Sequence, residues 1–127
     1  MAIEKVSYLE NFDSHSNNKR TIVGLLKSAS ESPISVEQVR VVSVHEESIL
    51  SNHWREYGEI YGVIGEAEFT LEDIKTKKRE TYKMKTGDNL YIPKEVALKV
   101  KAPSGTVIIC CSEKNERENG THKYEIE

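Results

Sequence analysis

The sequence predicts an all-β fold, a sandwich or barrel of the jelly-roll type, from three observations. No long stretch carries apolar residues at three-four spacing, so helices have no signal. Short runs rich in β-branched and aromatic residues recur between turn signals. Many such strands with turns about every eight to twelve residues are the pattern of a sandwich or jelly roll.

Residues 21–27 read as a first strand, weakened by Gly24, and 28–33 as a polar loop ending in Pro33. Valine-rich residues 36–44 follow as a strand. His45, Glu46 and Glu47 read as a solvated turn, and 54–58 as a strand end leading into Glu59–Ile64. After Gly65, Glu66–Asp73 alternates almost without fault between apolar and polar residues. The polar turn around Lys77-Lys78-Arg79 and the alternating 81–85 complete a hairpin. A tight turn at Gly87 and Asp88 precedes a short strand, 90–93, that ends in a proline. Residues 98–102 and 106–112 are the last strong strands, divided by a turn at Pro103, Ser104 and Gly105. Beyond Glu113 the composition turns polar, with one short strand expected at 124–126.

At 127 residues the chain suits one domain, 1–127, with its core over about 20–112 and a polar tail over 113–127. Charged residues at 31% and a formal charge of −3 suit a soluble globular protein and give no reason to expect nucleic acid as a partner. No apolar run approaches the roughly 20 residues that span a bilayer, so no membrane partner is expected. Residues 1–5 lack the apolar core of a secretory signal, and a cytoplasmic location is expected. Cys110 and Cys111 are adjacent on a strand, where side chains point to opposite faces, and read as small buried residues rather than a disulfide.

The informative stretch begins at His53, runs through Arg55 and Glu59 to Gly65, and continues from Gly87 through Pro93 to Leu98. Over residues 36 to 112 this pattern resembles the cupin superfamily, specifically its small single-domain RmlC-like jelly rolls. The family's first motif is a His, one residue, a second His, three or four residues, a Glu, then a Gly. Its second is a Gly, five residues, a Pro, one residue, a Gly, two residues and a His. His53 takes the first His position and Glu59 the Glu position, while Gly87 and Pro93 keep the second motif's spacing. The resemblance implies a cupin-type double-stranded β-helix, a jelly-roll barrel, and a homodimer.

The departures concern the site. Arg55 stands where the second His belongs, Leu98 where the last His belongs, and Glu95 where the inner Gly belongs. A guanidinium has no lone pair to offer a metal and brings a fixed positive charge instead. One His and one carboxylate are too few ligands for a strong site, so neither a metal nor another cofactor is expected.

By strand parity His53 and Arg55 project to one side, as do Glu59 and Tyr61. Leu98 and Val100 supply an apolar wall, giving the mix of apolar lining and few polar groups that marks a small-molecule site. Trp54, of opposite parity, falls outside the pocket or at a subunit contact; His15 and His122 carry little signal. In one reading Arg55 and Glu59 form a buried ion pair that fills the vacated site, and His53 is a hydrogen-bonded core residue.

Two classes of function stay open. In the first, the chain is a metal-independent sugar or nucleotide-sugar isomerase or epimerase-like protein. His53, Glu59 and Tyr61 would move protons beside a carbonyl, and Arg55 would hold an anionic group beside Leu98 and Val100. In the second it is a non-catalytic ligand-binding or sensor module. A metal-dependent enzyme would need ligands from outside the motif. The expected partner is a small molecule, anionic or carbohydrate-derived, and the candidate dimer surfaces are 36–44 and 21–27.

Overall fold

The alternation of Glu66–Asp73 is realised as one arm of an antiparallel hairpin whose other arm is Arg79–Lys85, with Glu66 opposite Lys85 and Glu72 opposite Arg79. A computed structural model describes residues 3, 6–9, 15–22, 24, 32–114 and 120–126. Among them the strands are β1 Ser7–Leu9, β2 His15–Ser16, β3 Thr21–Ile22, β4 Gln38–Ser43, β5 Ser48–Arg55 and β6 Glu59–Ile64. They continue as β7 Glu66–Asp73, β8 Arg79–Lys85, β9 Asn89–Ile92, β10 Val96–Ala102, β11 Val107–Ser112 and β12 Thr121–Lys123.

Two five-stranded antiparallel sheets face each other, ordered β1-β9-β6-β11-β4 and β12-β5-β10-β7-β8, with β2 and β3 paired separately. Successive strands from β4 onward largely change sheet, which is the winding of a jelly roll. No helix occurs among the described residues, and none is long and apolar enough to cross a membrane.

Between the sheets lie Phe69, Leu71, Met84, Leu90, Leu98 and Val100, all at most 2% exposed. Each such side chain gains about 1.5–3 kcal/mol by leaving water. A second cluster covers the outer face of the first sheet, where Ile34 lies over Ile60 and Cys111. The adjacent cysteines are free and buried on opposite faces, Cys110 in the main core and Cys111 in the outer cluster.

Five elements differ from the sequence reading. The stretch read as a turn and strand end around 54–58 is preceded by an eight-residue strand, β5, whose polar residues and broken alternation conceal it. Neither β1 nor β2 has a counterpart in the sequence reading. Of the expected strand 21–27, Thr21 and Ile22 pair with β2, while Val23 and 25–27 lie outside the described residues. The C-terminal strand is Thr121–Lys123, not 124–126: Thr121 lies opposite Arg55, and Ile126 beyond it is buried. Ile3 is buried too, so packed residues extend past the span 20–112 at both ends.

Candidate functional site

The site owes its geometry to a bulge in β5. Across β10, Leu98 lies opposite His53, but Lys99 lies opposite Ser51, leaving Asn52 as an extra residue. Ser51 and Asn52 both adopt left-handed backbone, with φ of 75° and 64°. In a regular strand Leu50 and His53, three apart, would point to opposite faces. The inserted residue brings both to the interior, and Arg55 with them.

Glu59, at the start of β6, is the centre of what those side chains reach. It is 4% exposed. Its Oε1 lies 2.9 Å from Arg55 Nε and accepts from the Tyr61 hydroxyl at 2.9 Å. Its Oε2 accepts from Ser112 Oγ at 2.7 Å, Cys110 Sγ at 2.9 Å and Arg40 Nη2 at 3.3 Å. Arg55 continues the network, donating through Nε to His53 Nε2 at 3.0 Å and through Nη1 to Tyr57 and Thr121 at 2.9 and 3.0 Å. Every strand in this network is tied to a neighbour by a side chain as well as by its ladder.

The electrostatics follow from burial. Burial, helped by the Arg55 charge and opposed by Glu59, lowers His53 to about 4, so its imidazole is neutral near neutral pH. Burial and the Glu59 carboxylate hold the Tyr61 phenol well above its ordinary range. The same two causes push the Cys110 thiol up to about 12.

A cleft of about 830 Å³ opens onto this network between β4 and the β5–β12 edge. Arg40, His53, Arg55, Tyr61, Val100 and Thr121 are among its lining residues. Leu98 lies deeper, in a small cavity with His53, Arg55, Glu59 and Pro93. The structure therefore gathers all six residues singled out from the sequence. Trp54 points elsewhere, stacked on His122 with ring centroids 4.1 Å apart, and His122 Nε2 lies 2.6 Å from Glu56 Oε2.

Sequence reasoning missed Arg40, Tyr57, Cys110, Ser112 and Thr121 as members of the site. For Arg40 a signal existed, a lone charge inside a valine-rich strand. In the structure Arg40 faces inward while Val39 and Val41 are 58% and 65% exposed, the reverse of what hydrophobicity suggests. Among the described residues no three His, Cys, Asp or Glu side chains gather in a way that could hold a metal ion.

The chain has the cupin fold, in its RmlC-like form. It is similar in structure to the sugar 3,4-ketoisomerase QdtA of Thermoanaerobacterium thermosaccharolyticum in complex with TDP, at 12% identity and a TM-score of 0.79, over 94% of this chain and 88% of that one. It is similar to the TDP-quinovose 3,4-ketoisomerase WlaRB of Campylobacter jejuni, at 17% identity and 0.77, over 95% and 94%. The 3'-monoepimerase ChmJ of Streptomyces bikiniensis, in complex with dTDP-quinovose, matches at 16% identity and 0.80, over 97% and 71%. No protein-family model and no curated protein matches the sequence.

Proposed function

We propose that the chain binds a nucleotide sugar, or a related carbohydrate anion, in the cleft and moves a proton beside its carbonyl group. The observation that carries this reading is a neutral imidazole, His53, set beside a guanidinium in the wall of one cleft. The fold shared with nucleotide-sugar ketoisomerases and an epimerase supports it.

In this reading His53 is the base. Its Nε2 accepts from Arg55 Nε, but that N–H also lies 2.9 Å from Glu59 Oε1, so the imidazole can release it without leaving it unpaired. His53 takes the proton from the carbon next to the ketone, giving an enolate whose charge the Arg55 guanidinium faces. The imidazolium so formed returns the proton to the enolate, leaving His53 neutral again, while Tyr61 keeps its own proton, donates a hydrogen bond to Glu59 and lines the cleft. Glu59 holds Arg55 and Tyr61 in place, with Leu98 and Val100 as the apolar wall.

The test is solvent deuterium exchange into TDP-4-keto-6-deoxyglucose. Wild type incorporates deuterium next to the carbonyl, and His53→Ala loses it at least a hundred-fold. Exchange that survives in His53→Ala overturns the assignment of the base.

One observation favours a second reading, ligand binding without chemistry: both Glu59 oxygens are already fully engaged within the protein. A ligand-induced rise in melting temperature without any exchange would select it. We further propose that the outer face of β4, with Val39 and Val41 exposed, joins two copies of the chain in a homodimer.

A further inference from the structure

The cleft has an unbalanced charge. Its lining residues include two guanidiniums, Arg40 and Arg55, and no carboxylate. The carboxylate that serves both, Glu59, sits behind that wall with its side chain 5% exposed. With His53 neutral, the group Arg40–Arg55–Glu59 carries one net positive charge in a partly enclosed space.

The two arginines do not share Glu59 equally. Arg55 Nε lies 2.9 Å from Oε1, with its side chain 10% exposed. Arg40 reaches only Oε2, at 3.3 Å, where Ser112 and Cys110 already donate at 2.7 and 2.9 Å. A guanidinium–carboxylate contact is ordinarily about 2.7–2.9 Å and often two-pronged. Arg40 is thus third in line on one crowded oxygen. Its contacts with Glu59, Cys110 and Ser112 all use Nη2. Its side chain is 20% exposed, twice the value for Arg55.

We propose that Arg40 is the residue that receives the negative charge of the ligand, pairing its planar fork with the oxygens of a phosphoryl group that enters beside β4. This deepens the proposed function, on which it rests. The surplus single charge attracts an anion, and a fork geometry matches phosphoryl oxygens in a way an ammonium does not. A cleft of this size has room for more than a free ion. A sugar phosphate and a nucleoside diphosphate both present that chemistry, so both are used as probes.

Titration calorimetry with TDP, glucose 1-phosphate and uncharged thymidine separates the outcomes. Wild type binds TDP or glucose 1-phosphate, and which of them binds more tightly identifies the source of the phosphoryl group. Arg40→Gln weakens that binding at least ten-fold, Arg40→Lys, which keeps the charge without the fork, recovers only part of the loss, and thymidine binding is unchanged. Arg40→Met, which keeps the aliphatic stem, takes the place of Arg40→Gln if the latter does not fold. Unchanged phosphate affinity in the neutral variant overturns the assignment of Arg40 alone. Wild type that binds neither anion overturns the anionic-ligand reading itself, and this proposal with it.

Discussion

Arg55 and Glu59 meet at 2.9 Å with side chains 10% and 5% exposed. A buried ion pair gives little net stability against an apolar replacement, because desolvation of both charges offsets their attraction. Removing one partner is another matter. The survivor stays buried with its charge uncompensated.

Glu59→Gln leaves Arg55 and Arg40 facing an amide, and unpairing a buried charge costs about 3 to 5 kcal/mol. Urea denaturation measures the loss. The double variant Arg55→Met with Glu59→Gln recovers part of it, since Met fills the stem's volume without a charge. A Glu59→Gln variant as stable as wild type would mean that the pair is solvated in solution.

His53 makes stability depend on pH. Its value falls from 6.5 to about 4 in the folded chain, so between those limits the unfolded chain binds a proton that the folded chain refuses. Stability from this residue therefore declines as pH drops from about 6.5 towards 4 and changes no further below that. Melting temperatures across this window show the slope, and His53→Asn flattens it. Above pH 6 the imidazole stays neutral, and its proton resonances are constant. A midpoint near 6.5 in the native protein would sink the account.

The fold was legible because two signals agreed along Glu66–Asp73 and Gly87–Pro93: side chains of period two, and turn residues at fixed spacing. The six site residues were legible from the motif and strand parity. What hid was β5. A bulge at Ser51 and Asn52 breaks period two just before His53, so the strand that carries His53 and Arg55 has no clean alternation. Arg40 hid for the opposite reason, because a run of valines reads as core whichever face it shows. The pairings that gather Cys110, Ser112 and Thr121 around Arg55 and Glu59 are long-range and have no local signature.

Neither cysteine behaves as a reactive thiol. Burial, with Glu59 close by, holds Cys110 at about 12, and burial raises Cys111. Only the thiolate is nucleophilic. A disulfide reagent at pH 8 therefore leaves both untouched in the native chain and modifies two thiols per chain in guanidinium. Rapid native labelling of Cys110 would show that the cleft opens far more than its packing implies.

Val41 tests the proposed dimer. It is 65% exposed on β4, beside exposed Val39 and across from half-buried Ile109. Val41→Glu places a charge on that face and gives a monomer by light scattering, with little change in monomer folding. Wild type that is monomeric at all concentrations would remove the interface.

The bulge makes the sharpest structural prediction. Ser51 at φ 75° occupies backbone that a β-branched residue adopts only under strain. Ser51→Val costs about 1 to 3 kcal/mol, and Ser51→Gly, free at positive φ, costs nothing of that kind. Deleting Asn52 goes further: Leu50 and His53 then stand two apart on a regular strand, so His53 stays opposite Leu98 and keeps facing the interior. Inside, His53 keeps the burial that depresses it, so its ring-proton titration stays well below 6.5 in the deletion variant. A deletion variant whose histidine returns towards 6.5 would show that the strand needs the extra residue to aim His53 inward.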